Sequence, residues 1–133
     1  MCKNLVFDSC VIIDFLKKKS EAIDLEPLRT ANDCFISFIS KLETLGFPEI
    51  QPDEEAGILQ FLPQITILPS TSAIEAEVIQ IRRKTKLKLP DAIIAATAIV
   101  IDAEVVTTDE HFLKCEYPRL TVWRKDAESF ESE

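Results

Sequence analysis

Leu5-Val6-Phe7-Asp8-Ser9-Cys10-Val11-Ile12-Ile13-Asp14-Phe15-Leu16 changes its hydrophobic period in the middle. An apolar run reaches as far as Asp8. Val11, Ile12, Phe15 and Leu16 then recur at helical spacing until the charged stop Lys17-Lys18-Lys19. The segment reads as a strand, a turn and a helix, and it leaves Asp8 at the carboxyl end of the strand.

The alternation continues down the chain. A second helix is expected over 20–29, with Pro27 bending or ending it. Cys34-Phe35-Ile36 makes a second buried strand, and the helix over 37–45 behind it is terminated by Gly46 and Pro48. Asp53-Glu54-Glu55 opens a helix to about Leu62, where acidic side chains suit the positive end of the helix dipole. Ile65-Thr66-Ile67-Leu68 is the third strand. Ser72 and Glu75 then form a capping box for a helix carrying Ile74, Val78 and Ile81 on its apolar stripe.

Pro90 opens a helix over 91–102 that is apolar almost all round, which predicts the most buried helix of the fold. Val105-Val106-Thr107 and Leu120-Thr121-Val122-Trp123 supply the fourth and fifth strands, and the acidic tail 125–133 is expected to fray. Short buried strands alternating with helices require a parallel sheet covered on both faces. The fold class is therefore α/β, a three-layer α/β/α sandwich around a mostly parallel sheet of about five strands. Ligands on such sheets bind in the crevice beyond the carboxyl ends of the strands.

Composition narrows the class further. The chain has 133 residues, 47% of them hydrophobic, enough for one core, so a single domain over 1–133 is expected. Only two glycines argue against an all-β fold, whose tight turns need many positive-φ positions. The apolar run 5–7, cut short by Asp8, is neither a signal-peptide core nor an anchor. The run 92–101, interrupted by Thr97, falls short of the roughly 20 residues that span a bilayer. A cytoplasmic protein without membrane attachment is expected. Cys2, Cys10, Cys34 and Cys115 contain no C-x-x-C pair and His111 stands alone, too few ligands for a zinc site. The thiols are expected to be reduced, with Cys10 and Cys34 in the core.

A net charge of −8 runs against nucleic-acid binding, which favours a basic field. Its distribution matters more than its sum. Arg82, Arg83, Lys84, Lys86 and Lys88 hold five of the 15 basic residues and stand without an acid among them. This cluster is the candidate contact for an RNA backbone, although a solvated helix end explains it equally well.

Asp8 ends the first strand and Asp109 follows the fourth, while Glu43 and Asp91 lie on helices beside those strand ends, so four acids could converge. Each has a plain structural explanation. Asp8 could cap the first helix, Glu43 could close a capping box begun by Ser40, Asp91 sits in a first turn, and Asp109 could cap a short helix over 110–114. Their common placement favours function. Asp91 is the sharpest case, because the apolar helix behind it offers no cation and a carboxylate beside the most buried helix needs a partner. Carboxylates sharing a pocket repel one another and hold their protons unless a cation neutralises them. Oxygen ligands suit a hard cation, Mg2+ or Mn2+, which can promote hydrolysis of a phosphodiester.

The stretch 6–16, the Glu43 helix, Lys88-Leu89-Pro90-Asp91-Ala92-Ile93-Ile94-Ala95-Ala96-Thr97-Ala98, and Val106-Thr107-Thr108-Asp109-Glu110-His111-Phe112 resemble, in order, the motifs of PIN domains. The nearest likeness is to small bacterial VapC-type toxins. The resemblance implies an α/β/α sandwich whose acidic pocket holds Mg2+ or Mn2+ and cuts RNA. It makes Asp8, Glu43, Asp91 and Asp109 the catalytic, metal-binding acids, with Ser9 or Thr107 orienting them through hydroxyl hydrogen bonds. It also implies a homodimer, and a small antitoxin that inserts a segment, often with a basic residue, into the acidic groove. Cys10 departs from the pattern: many relatives have Asn there, and a possible polar contact beside Asp8 is expected to be lost.

Two functions follow: an endoribonuclease that is the toxin of a type II toxin–antitoxin pair, or a PIN-like binding and regulatory module without activity. Phosphate-transferring α/β enzymes of other kinds fit less well, since the chain has no Gly-rich phosphate loop. His111 reads as a surface residue of a short helix, and Phe112 and Trp123 as core rather than base-stacking residues.

Overall fold

A computed structural model describes residues 2–16 and 25–124 of the chain. The lysine stop at 17–19, the start of the helix expected over 20–29 and the tail 125–133 lie outside the described residues. The elements are β1 (Asn4–Phe7), α1 (Ser9–Leu16), α2 (Leu25–Ala31), β2 (Asp33–Ser37), α3 (Phe38–Leu45), α4 (Pro52–Phe61) with a 3-10 turn (Leu62–Gln64), β3 (Thr66–Leu68), α5 (Ser72–Lys84), α6 (Leu89–Val100), β4 (Glu104–Val106) and α7 (Glu110–Leu113).

The strands form a parallel sheet in the order β3-β2-β1-β4. Central β1 sets Val6 opposite Phe35 on one side and Val105 on the other. Successive side chains of a strand point to opposite faces, so β1 feeds two cores. Leu5 and Phe7 pack with Val11, Ile12, Leu28, Ile58 and Phe61 under α1, α2 and α4. Val6 packs with Ile74, Ile81, Ala92, Ala95 and Phe112 under α5, α6 and α7. This is the three-layer α/β/α sandwich. Helix α6 is, as its composition predicts, deeply buried: Ala92, Ile94, Ala95, Ala96 and Ala98 are all at 0% exposure, and small side chains let it lie close against the sheet and α5. Among the described residues no helix is long and apolar enough to cross a membrane.

The fifth strand is reduced to a single bridge. Val122 pairs in parallel with Val105, through Val105 N–H to Thr121 O at 2.9 Å and Trp123 N–H to Val105 O at 2.8 Å. A turn closed by Leu120 N–H to Tyr117 O at 2.9 Å leads into it, and among the described residues no further ladder bond joins it to β4.

Several helix ends differ from their expected positions. Pro27 does not end α2, which continues to Ala31. The cap of α5 is Thr71, whose hydroxyl accepts from Ile74 N–H at 3.2 Å, while Glu75 accepts instead from Ser70 at 3.1 Å. Helix α6 starts two residues early, with Lys88 as its cap and Pro90 in its first turn. Its end is closed by Asp102 at φ 56°, flanked by Ala103 N–H to Ala98 O at 2.7 Å and Asp102 N–H to Ile99 O at 3.2 Å. That is a Schellman closure with Asp in the left-handed position where glycine is usual. Gly46 ends α3 without a positive φ; a Cβ there would meet Leu42 O at 2.4 Å, so close approach is what requires the glycine.

Candidate active site

The chain starts in β1, builds β2 and β3 to one side and returns to place β4 on the other. The carboxyl ends of β1 and β4 therefore flank the switch point of the sheet, the place where open parallel sheets bind their ligands. Asp8 N–H donates to Val106 O at 3.0 Å, extending the ladder one residue past β1 and setting Asp8 beside Thr107.

Asp8 is 5% exposed and fully engaged. Its Oδ1 accepts from Ser9 N–H at 2.7 Å, and its Oδ2 accepts from the Thr107 hydroxyl at 2.7 Å and the Cys10 thiol at 3.2 Å. Burial pushes its carboxyl above the usual range; the hydrogen bonds pull the other way and the Asp109 charge adds to the rise. The Thr107 hydroxyl also accepts from Asp109 N–H at 2.9 Å, so one side chain ties two of the acids together.

Asp109 caps α7, accepting from His111 N–H at 2.8 Å, and the same Oδ1 lies 2.9 Å from His111 Nδ1. Its capping role is real, and its position beside Asp8 is not explained by capping. Glu43 is different. The cap of α3 is Ser37, whose hydroxyl accepts from Ile39 N–H at 3.2 Å, and Ser40 lies inside the helix with its buried hydroxyl unpaired among the described residues. The capping-box explanation for Glu43 fails; its Oε1 accepts from the Ser9 hydroxyl at 2.8 Å instead. Asp91, in the first turn of α6, is pushed up to about 6, by burial first and then by the charges of Asp8, Asp109 and Glu43, while His111 works in the opposite direction. The four acids thus face one space: Ser9 links Asp8 to Glu43, Thr107 links Asp8 to Asp109, and Asp91 feels all three.

By chemistry these donors fit a hard cation, being carboxylate and hydroxyl oxygens. By geometry they are an open edge: among the described residues no three acidic, thiol or imidazole groups are drawn together into a ready-made cage. An ion that keeps its waters and takes only one or two carboxylates is compatible with such an edge.

A PIN domain family profile matches residues 5–116. The chain belongs to the PIN-domain family. Solved structures agree in fold. A chain of a toxin–antitoxin complex from Klebsiella pneumoniae is 27% identical with a TM-score of 0.71, covering 89% of this chain and 96% of that one. A chain of VapBC2 from Rickettsia felis bound to a promoter DNA fragment is 19% identical at a TM-score of 0.76, covering 90% and 97%. DNA-bound VapBC from Salmonella typhimurium gives 21% identity and a TM-score of 0.75, covering 92% and 98%. No curated protein matches the chain.

Within this PIN domain, Cys10 and Cys34 are half-buried and pack against the first core, as expected. Cys10 overturns one expectation: it also reaches the acid edge, where its thiol supplies a polar contact to Asp8 at 3.2 Å while approaching Thr108 Oγ1 at 3.4 Å. Its place in the first turn of α1, two residues past Asp8, was the signal. Phe112 and Trp123 are buried and fill the two cores, as expected, and His111 is exposed yet tied to Asp109.

The basic cluster divides. All five are exposed, but among the described residues the Arg82 guanidinium alone is engaged, donating to Leu87 O at 2.9 Å and bracing the loop between α5 and α6. Glu77, absent from the sequence reading, is 7% exposed on the apolar stripe of α5, where it accepts from Tyr117 OH at 2.7 Å and from Arg119. A charge in that stripe was the readable sign. It pins the segment after α7 to α5, and its carboxylate holds the Tyr117 proton more tightly.

Proposed function

We propose that the chain is a Mg2+- or Mn2+-dependent endoribonuclease that hydrolyses RNA phosphodiester bonds, and that it is the toxin of a type II toxin–antitoxin pair. The observation that carries the reading is the convergence of Asp8, Glu43, Asp91 and Asp109 at the switch-point crevice, joined through Ser9 and Thr107. These four acids would hold the ion. When bound, it supplies Lewis acidity toward the phosphodiester and charge to offset the crowded carboxylates.

The protein's own part is positioning. Thr107 fixes which way the Asp8 carboxylate turns, the sheet ladder fixes its depth, and Ser9 draws Glu43 toward it. Asp109 is held by its cap at the mouth, and the exposed Arg83, Lys84, Lys86 and Lys88 lie on the chain leading to Asp91, where they meet the RNA backbone.

The toxin role is supported by the likeness to the Klebsiella toxin–antitoxin complex. A protein of net charge −8 attracts a basic antitoxin at short range. A groove of about 690 Å3 between α1, α3 and α4, lined by Ile13, Phe47, Ile50 and Ile58, offers apolar surface for that partner. Exposed Leu89 and Val100, three turns apart on one face of α6, offer surface for the second copy of a homodimer.

The test is cleavage of labelled RNA with Mg2+ or Mn2+, with chelator, and with Asp91→Asn. Cleavage that needs the ion and falls by more than about 100-fold in the variant supports the reading. Cleavage indifferent to Asp91 sinks the site, and no cleavage at all leaves a PIN-fold binding module.

A further inference from the structure

A second concavity adjoins the acid edge. It is a cleft of about 550 Å3 between the C-terminal end of α5 with its following loop and helix α7. Lys84 and Lys86 line one wall, and His111 and Lys114 the other, with Glu110 and Glu116 as its acids. His111 belongs to both sites, since its Nδ1 lies 2.9 Å from Asp109 Oδ1 while its side chain lines the cleft. The cleft therefore begins where the acids end.

Three features distinguish it from an ordinary solvated surface. First, three lysines face two glutamates in a protein whose overall balance is 15 basic to 23 acidic residues, so the sign of the local charge is reversed. Second, among the described residues Lys84 and Lys86 have no ion-pair partner, and Lys114 has only Glu110 at 3.3 Å, both side chains being 76% exposed. Such an exposed pair is worth little and yields readily to a phosphate. Third, the wall carrying Lys86 is built rigidly. Thr85 Oγ1 donates to Ile81 O at 2.8 Å and accepts from Leu87 N–H at 3.2 Å, Arg82 grips Leu87 O, and Leu87 itself is buried in the core.

We propose that this cleft is the track for the RNA backbone flanking the cut, with Lys84 and Lys86 on one wall and Lys114 on the other taking its phosphates, and with Arg82 bracing the loop. The inference rests on the ribonuclease reading for the direction of the strand, which passes from the acids over His111 into the cleft. It adds Lys114 and the α7 wall to the contact surface, withdraws Arg82 from it, and explains how a chain of net charge −8 holds a polyanion: the attraction is local and short-ranged.

The experiment measures binding of a labelled ten-nucleotide oligouridylate by fluorescence anisotropy from 50 to 200 mM salt, in an Asp91→Asn background so that nothing is cut. Each lost phosphate contact on a single strand lowers the slope of log affinity against log salt by about 0.7, so Lys86→Gln with Lys114→Gln should lower it by about 1.4. Over that salt range the double variant should lose roughly sevenfold less affinity than its parent. The Lys86→Arg, Lys114→Arg pair should keep the parental slope, and so should Lys3→Gln at the amino end of β1. An unchanged slope in the glutamine pair, an equal loss in Lys3→Gln, or no binding to the oligonucleotide overturns the proposal. If the unsubstituted protein fails to cut the same oligonucleotide with Mg2+ or Mn2+ while binding still depends on Lys86 and Lys114, the ribonuclease reading fails and the cleft assignment stands.

Discussion

Asp8 and Glu43 deliver carboxylates to the same crevice from different kinds of support. Asp8 ends a strand at the centre of a parallel sheet, is 5% exposed, and has donors on both oxygens from Ser9, Cys10 and Thr107. Glu43 projects from α3 into solvent and is held by the Ser9 hydroxyl at 2.8 Å. The sheet half of the site is preorganised, because its geometry is set by backbone ladder bonds and a saturated hydrogen-bond set. The helix half can close or open by a side-chain rotation. An edge that is not a ready-made cage is then what a site would look like whose fixed half receives an ion and whose adjustable half completes the shell.

Thr107→Val should break the preorganised half and have the larger effect of the two halves. It strips a donor from the buried Asp8 carboxylate and an acceptor from Asp109 N–H at once. A buried group left unpaired costs about 1–3 kcal/mol, and second-layer partners of metal ligands typically matter 10- to 100-fold, so both stability and RNA cleavage should fall. Thr107→Ser, which keeps the hydroxyl, should restore most of both. Chemical denaturation and cleavage rates read the two losses separately; a valine variant that cuts RNA at the normal rate would show that Asp8 needs no such support.

Ser9→Ala tests the adjustable half and should do less. Glu43 is exposed, so losing one hydroxyl donor releases it into water at little cost, within about 1 kcal/mol. Cleavage should fall less than about 10-fold and recover at higher Mg2+, because the ion can recruit a mobile carboxylate that the serine no longer holds. A loss as large as that of Thr107→Val would mean that Glu43 is as preorganised as Asp8.

The same division explains what could be read in the sequence. Period and strand–helix alternation were enough for the layered parallel sheet, and strand ends were enough to place Asp8 and Asp109, since both follow directly from where an apolar run stops. The Glu43 contact was not legible, because Ser40 stands three residues before it as a capping box requires, and only the structure shows that Ser37 caps α3 and frees Glu43 for Ser9. The Glu77 bonds to Tyr117 and Arg119 join side chains 40 and 42 positions apart, and the basic cleft sets the end of α5 against α7; a buried-stripe charge marks Glu77 as unusual, but no local period says which side chains it meets. The fifth strand is read correctly in place and direction, but among the described residues it makes a single bridge, beside β4, because β propensity does not say how many partners a neighbouring edge offers.

The smallest effect is electrostatic and separates proton from metal. Asp91 titrates near 6 in the folded chain and near 3.9 in an unfolded one, so between those values the folded state holds a proton that the unfolded state has lost. The Asp91 contribution is therefore fully present below about pH 4 and disappears as the pH rises through about 6. Asp8, also raised, acts in the same direction. In chelator, Asp91→Asn should match the parent protein at pH 4 and exceed it modestly in melting temperature at pH 7.5, the gap widening with pH. Adding Mg2+ should close or reverse that gap at pH 7.5, since the ion takes over the neutralising role of the proton where the carboxylates are ionised. A gap that is independent of pH, or insensitive to the ion, would show that Asp91 does not share its charge environment with the other three acids.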